Sequence, residues 1–271
     1  MDHYLIWIFL MTIEIFLVGV GTGNPAHITL QAIEQLKSAD IIIIPRKGDN
    51  KSDLADLRYQ ICNKILGEEC PQLFEFDLPT RNNKQSYSKA VEEWHETIAK
   101  IWIDCIEKAQ KDLKKSVKSV GLLIWGDPSL YDSSLRIAKR LKPTPQITII
   151  PGITSVQALS AAHKITINQI GKPFMITTGR QLTNFGFPDD IDTAIIMLDG
   201  NCSFRTLEQE KYYIWWGAYL GMEQELLIEG KLNEMSDVIV ETRKNAREMH
   251  GWIMDSYMLR REKIVGKIDP K

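Results

Sequence analysis

The sequence predicts an α/β protein of two domains, and three observations carry that prediction. Apolar runs in the first half end in glycine turns that open into helical patterns, at Gly19, Gly126 and Gly152. One run places four isoleucines in a row, Ile41, Ile42, Ile43 and Ile44, as expected of a strand buried on both faces of a parallel sheet. The second half changes character after residues 165–172, which carry Asn168 and Gly171 just ahead of Pro173, and there strand patterns follow one another closely.

In chain order, 13–20 reads as a buried first strand entering Gly19-Val20-Gly21-Thr22-Gly23. Asn24 then caps a helix with Pro25 at its first position, and Ile28, Ala32, Ile33 and Leu36 form its apolar stripe. Residues 40–44 are the second strand, and 46–58 a polar loop leading into a helix. Residues 74–81, between Pro71 and the Pro79 break, read as irregular. A long helix over 86–115 buries Trp94, Ile98, Ile101, Trp102 and Cys105. Strands at 119–125 and 146–150 each lead through a glycine turn into a helix, the first beginning near Ser129 or Asp132, the second over 154–163. In the second half, strands fall at 174–178, 193–198, 212–220, 225–229 and 257–261, with helices at 204–208 and 232–248. The domains are therefore 12–168 and 169–271.

The 271 residues are 44% hydrophobic and 25% charged, with a formal net charge of -2. That balance supports a sizeable core and argues against a general basic field for duplex nucleic acid. Cys62, Cys70, Cys105 and Cys202 have no C-x-x-C spacing, so inert thiols in a reducing compartment are expected. The apolar run 5–10 follows Asp2 and His3 with no basic segment before it, and Glu14 interrupts its continuation. Neither a signal peptide nor a membrane span is expected; residues 1–11 read as an extension, with Met11 a second candidate start.

Gly19 and Gly21 begin a dinucleotide fingerprint that fails at its third glycine, where Asn24 stands, and at its acidic residue, where Ile44 and Pro45 stand. Those glycines serve either a ligand or a tight turn. Gly126-Asp127-Pro128 ends a buried strand, where Asp127 either accepts from a ligand hydroxyl or amino group or caps backbone amides. Thr154 and Ser155 start a helix and can cap it or face a ligand. Met197, before Leu198-Asp199-Gly200, either lies on an aromatic ligand ring or belongs to the core. His95 and His163 are isolated and no H-E-x-x-H or G-x-S-x-G occurs, so no metal is expected. Asp127 and Asp199 are the candidates for general acid/base work.

V-G-V-G-T-G-N-P from Val18, the G-D-P at Gly126 and P-G-I-T-S from Pro151, in this order and spacing, resemble the tetrapyrrole (corrin/porphyrin) methylase family over the chain from about Thr12 to its end. Longer segments, K-G-D-N-K-S-D-L from Lys47, W-G-D-P-S-L-Y-D-S from Trp125 and M-L-D-G-N-C-S-F-R from Met197, are similar to one branch, which methylates a precorrin and removes an acetyl group. The resemblance implies a class III methyltransferase fold of two α/β domains with S-adenosyl-L-methionine in a cleft between them. It implies that Trp125, Gly126, Asp127 and Leu130 hold the cofactor, with Thr154, Ser155, Met197 and Ala218. Gly19, Gly21 and Gly23 would line a tetrapyrrole trough. Trp125 stands where the family often has glycine, which reshapes the pocket.

A precorrin carries many carboxylates, so Arg46, Lys47, Arg58, Arg81 and Arg180 are candidates to bind it, each with a solvated-surface alternative. The implied chemistry is attack of water on an acetyl group at ring carbon 1 of precorrin-5, then methyl transfer to that carbon. Deacylation needs a base or an oxyanion-binding group, for which Asp127, Asp199 and His95 are candidates in that order. The resemblance also implies a cytoplasmic homodimer, without nucleic-acid or membrane partners. Alternatives are a methylase of the same fold acting on RNA or protein, a non-catalytic corrinoid-intermediate binding protein and, against the broken fingerprint, a dehydrogenase.

Overall fold

A computed structural model describes residues 13–46, 53–80 and 87–262. The extension 1–11, Lys47 and Arg81 lie outside the described residues. The chain forms two compact units, the first ending at Thr154 and the second beginning at Ser155.

The first unit is built on a five-stranded parallel sheet of β1 (Glu14–Gly19), β2 (Ile41–Arg46), β3 (Gln72–Asp77), β4 (Ser119–Ile124) and β5 (Gln146–Ile150), in the order β3-β2-β4-β1-β5. The four isoleucines of β2 divide between its faces. Ile42 and Ile44 pack with Phe16 and Val18 beneath α1 (Leu30–Lys37) and α2 (Asp53–Leu66). Ile41 and Ile43 pack with Ile15 and Leu17 beneath α3 (Tyr87–Leu113) and α4 (Ser134–Ala138). Trp102 of α3, only 2% exposed, meets Phe76 of β3 edge-on with ring centroids 6.3 Å apart.

Three local expectations are corrected here. The helix after Asn24 is two pieces: Asn24 caps a 3₁₀ turn at Pro25–His27, Ile28 is extended, and the Thr29 hydroxyl accepts from the Ala32 amide to start α1. Thr29 supplies the partner that an unbroken helix would have supplied to that amide, so the break is a second cap. Residues 74–81, read as irregular, begin inside β3, whose Phe74 and Phe76 alternate inward while Glu75 and Asp77 face out. β3 is an edge strand, where bordering prolines are tolerated. The helix after Gly126 starts at Ser134, because Tyr131 is left-handed (φ 52°) and the Asp132 carboxylate takes the Ser134 amide at 2.6 Å.

The second unit carries a mixed sheet of β6 (Met175–Thr178), β7 (Thr193–Met197), β8 (Tyr212–Ala218), β9 (Leu226–Lys231) and β10 (Asp255–Arg261), ordered β6-β7-β10-β8-β9. β6 and β7 run parallel and the other pairs antiparallel, so β10 lies between two strands that run the same way. α5 (Ser155–Ala162) belongs to this unit, which therefore begins upstream of residues 165–172. Beyond its end, His163 Nε2 lies 3.0 Å from the Trp216 carbonyl, and Arg260 donates to the carbonyls of Thr166 and Ile167. A helix not expected from sequence, α6 (Gly179–Phe185), is capped by the Thr178 hydroxyl, and the helix expected at 204–208 is a 3₁₀ turn, Ser203–Thr206. α7 (Leu232–His250) completes the unit. No helix among the described residues is long and apolar enough to cross a membrane.

Candidate active site

In the first unit the carboxyl ends of β1, β4 and β5 converge. The Gly21 and Gly126 backbones exchange two hydrogen bonds, of 3.3 and 2.7 Å, which bridge the first glycine loop to the G-D-P loop. A Cβ added to Gly152 would lie 2.1 Å from the Gly126 carbonyl oxygen, and one on Gly19 would lie 2.6 Å from the Gly152 nitrogen. Glycine is thus required at 19 and 152 by close approach, and at 126 by its φ of +63°.

Asp127 ties the same loops together. One oxygen accepts from the Ser129 amide at 2.8 Å and from the Ser129 hydroxyl, and the other accepts from the Gly152 amide at 2.9 Å. Burial pushes this carboxyl up, but the bonds from Ser129 and Gly152 outweigh it and hold its pKa below the ordinary carboxylate value. Asp127 is therefore an ionised clamp that caps amides, one of the two roles open from sequence. A depressed folded pKa contributes stability above the unfolded value of 3.8 that is lost as pH falls through the folded one. Asp127→Asn is expected to lower stability at pH 7 by about 1 kcal/mol, allowing for solvent screening, and to flatten the decline between neutral and strongly acid pH. Thermal unfolding at pH 7 and pH 3 checks both; an unchanged acid decline would remove Asp127 as its source.

Around this knot Thr154 is buried, Leu130 is partly buried, and Tyr131 and Ile153 stand 45% and 36% exposed. Trp125 turns its ring toward α2. Arg58 lies over that ring, its guanidinium carbon 4.9 Å from the centroid, and Nε donates to the Leu123 carbonyl at 3.2 Å. Desolvation lowers the Arg58 pKa to about 10. Arg58, a candidate for substrate carboxylates, is thus held against Trp125 by a carbonyl and an aromatic face. Arg46 pairs with Glu75 at 2.8 Å, in a depression of about 540 Å³ shared with Tyr59, Asp77 and Lys108. His95 is 1% exposed, and neither ring nitrogen has a partner.

In the second unit β7 and β8 end at one edge of the sheet, because both pair antiparallel with β10. Met197 is partly buried there and Ala218 is fully buried. Leu198 and Tyr219, the next residues, both have left-handed backbones, and Leu198 is 67% exposed. Asp199 anchors this edge from inside. Its carboxylate accepts from the Tyr257 hydroxyl (2.6 Å), the Ser203 amide (2.6 Å) and hydroxyl (2.9 Å), and the Asn201 amide (3.1 Å). Arg243 donates to the Asp199 carbonyl at 3.2 Å and to Asp255 at 2.9 Å, and the Trp216 indole N–H also reaches Asp255. Burial leaves the Asp255 carboxyl above its ordinary value despite Arg243. Four donors fill the acceptor capacity of Asp199, which makes it an anchor of the Leu198 turn. Arg180 is exposed in the first turn of α6.

The structure thus gathers Gly19, Gly21, Gly126, Asp127, Thr154 and the chain around Trp125 and Leu130 at one sheet end of the first unit, and Met197 and Ala218 at one sheet edge of the second. Arg46 and Arg58 are engaged elsewhere in the first unit. Sequence reading missed the Arg243–Asp255 pair, whose partners lie twelve residues apart on a helix and a strand without a motif. It also missed the left-handed Tyr131. No group of three metal-ligating side chains occurs among the described residues.

Comparison with known proteins agrees with this architecture. The chain is 42% identical over 253 residues, 92% of its own length and 95% of the relative's, to a precorrin-6A synthase [deacetylating] from a Sinorhizobium species. Its fold matches the crystal structure of a cobalamin synthesis related protein (CobF) from Corynebacterium diphtheriae with a TM-score of 0.74 and 35% identity, covering 92% of this chain and 98% of that one. A uroporphyrin-III C-methyltransferase from Thermus thermophilus, complexed with S-adenosyl homocysteine, shares the fold at a TM-score of 0.54 and 17% identity, covering 91% of this chain and 97% of that one. The family profile for tetrapyrrole (corrin/porphyrin) methylases matches residues 14–236, and with the two α/β units built as described the chain belongs to that family.

Proposed function

We propose that this protein is an S-adenosyl-L-methionine-dependent C-methyltransferase of cobalamin biosynthesis, which methylates precorrin-5 at ring carbon 1 with release of acetate to give precorrin-6A. The observation that carries this reading is the 42% identity, sustained over 92% of the chain, to a deacetylating precorrin-6A synthase. The residues present fit the cofactor. It carries a net positive charge with polar adenosine and amino-acid ends, and the first unit's loops offer backbone groups, the Thr154 hydroxyl, apolar Leu130 and an ionised Asp127.

When bound, the cofactor supplies an activated methyl group on a sulfonium. The chain's own task is then to hold the acceptor carbon in line. Gly126 and its neighbours shape the first-unit part of the pocket; Asp127 keeps the loop closed on Gly152. Met197 offers a soft thioether to an aromatic ring, and Ala218, being buried, contributes through its backbone. Gly19, Gly21 and Gly23 line the tetrapyrrole trough. Arg180, Lys47 and Arg81 meet substrate carboxylates together with Arg46, which first leaves Glu75, and Arg58, which acts through Trp125. The working form is a cytoplasmic homodimer.

Calorimetric titration with S-adenosylhomocysteine tests the reading. Micromolar binding by the wild type, lost in Gly126→Trp, followed by methyl transfer to precorrin-5 with stoichiometric acetate, is the expected result. Folded protein that binds precorrin-5 but transfers no methyl group would point to a carrier of corrinoid intermediates; methyl transfer to RNA or protein would point to another substrate class.

A further inference from the structure

His163 stands at the end of α5 with its side chain only 3% exposed. Nδ1 lies 3.0 Å from a Glu229 carboxylate oxygen on β9, and Nε2 lies 3.0 Å from the Trp216 carbonyl oxygen on β8. Both partners accept and neither has a proton to give. A neutral imidazole has one N–H and would turn a lone pair toward one of these oxygens, whereas the doubly protonated ring donates to both. The helix end favours the same form. Lys164 is left-handed (φ 54°) and the Ile165 amide returns to the Ser160 carbonyl at 3.0 Å, so α5 closes there and the ring sits beside the partial negative charge of its last turn.

This ring joins two elements of the second unit that bear on the site. α5 opens at Ser155, which the family resemblance implies as a cofactor contact, and β8 ends at Ala218, two residues after Trp216. Their close approach is built in: a Cβ added to Gly217 would lie 3.0 Å from Leu159 Cδ1, so glycine lets α5 lie down on the strand. The other titratable groups around the ring have their own places. Arg260 of β10 bonds to the Thr166 and Ile167 carbonyls, Tyr213 of β8 and Lys231 of β9 pair with each other in register, and Lys164 is exposed. Asp255, paired with Arg243, meets Trp216 through its indole N–H. Glu229 is the anion bonded to the ring.

Resting on the reading of this protein as an S-adenosyl-L-methionine-dependent methyltransferase, we propose that His163, protonated on both ring nitrogens, is a positioning residue for the cofactor. It clasps the helix that opens at Ser155 to the strand that ends at Ala218, so that cofactor affinity follows the charge on its ring. When the ring gives up a proton to solvent, one of its two bonds is lost. α5 is then held to β8 by apolar packing at Gly217 alone, and the spacing between Ser155 and Ala218 is no longer fixed. His163 touches neither cofactor nor substrate; it acts through the two elements it joins.

The test is calorimetric titration with S-adenosylhomocysteine from about pH 5 to about pH 8, the span over which histidine changes its charge. Wild-type affinity should fall about tenfold from the acid to the alkaline end, the loss expected for one hydrogen bond from a charged group. His163→Lys keeps a charged donor throughout and should bind within about threefold of the acid-side wild type at every pH. His163→Leu, which leaves both acceptors unpaired, should bind about tenfold more weakly than the acid-side wild type at every pH. Glu229→Gln removes the anion that favours the charged ring, so the step should move to lower pH, which a merely structural contact would not do. Ring-nitrogen spectra of isotopically labelled histidine, assigned by the signal missing from His163→Lys, read the protonation directly, and both nitrogens should carry protons at the acid end. A wild-type affinity flat with pH, the same step in His163→Lys, or a ring with one bare nitrogen at the acid end would overturn the assignment. A wild type that binds no S-adenosylhomocysteine at any pH would remove the functional reading, and this inference with it.

Discussion

Gly152→Ala is expected to abolish S-adenosylhomocysteine binding and to lower stability by about 3 kcal/mol or more, from the smallest side-chain change available. The new methyl group would sit 2.1 Å from the Gly126 carbonyl oxygen and 2.8 Å from the Gly19 carbonyl carbon. Both neighbours are backbone and belong to loops already joined, Gly21 to Gly126 directly and Asp127 to the Gly152 amide. Neither loop can retreat without breaking those bonds, so the cost belongs at or above the upper end of the usual range for overpacking. Gly200→Ala is the control, since nothing lies within 4 Å of its added Cβ, and it should stay within about 0.5 kcal/mol of wild type. Thermal unfolding and calorimetric titration of both variants decide the matter; a Gly152→Ala protein that melts and binds like wild type would mean that the three strand ends do not meet as described.

A comparable loss is expected from Arg243→Met in the second unit, about 3–5 kcal/mol, because it leaves Asp255 buried without its cation. The guanidinium is only 13% exposed and its partner 9%. Removing both charges, as Arg243→Met with Asp255→Leu, should recover most of the loss, since a buried pair contributes little net stability over apolar residues of similar volume. The residual deficit then measures what Arg243 gives to the Asp199 carbonyl and the Trp216 indole gives to Asp255. Denaturant unfolding of the two single variants and the double variant forms the cycle. A double variant no better than Arg243→Met would show that the bond to Asp199, rather than the ion pair, holds the edge.

The parallel sheet was legible in the sequence because strands buried on both faces need unbroken apolar runs, as Ile41 to Ile44 provide, and because close backbone approach leaves glycine at 19 and 152 and a positive φ leaves it at 126. The cap at Thr29 was less so: Thr29 and Asn24 are both good caps, and only packing decides that the chain uses both. β3 hid behind its prolines although Phe74 and Phe76 alternate plainly. Within the site, Asp127 was visible as a strand-end carboxylate, but its donors come from Ser129 and from Gly152, which is 25 residues away, and no spacing encodes that. Arg58 looked like a free cation because nothing near it in sequence says that Trp125 lies under it. A left-handed tyrosine has no signature at all; glycine or asparagine would have announced that turn.

The position of β10 has a consequence for how the chain is made. All five strands of the first sheet precede residue 151, so that sheet can close while the rest is still being synthesised. The second sheet cannot, because its middle strand is the last to leave the ribosome. Until Tyr257, Met258 and Leu259 emerge, β7 and β8 are two nascent edges facing a gap one strand wide, with their apolar faces awaiting a partner. Translation through residue 261 is thus the checkpoint that separates an early-folding half from one that assembles all at once.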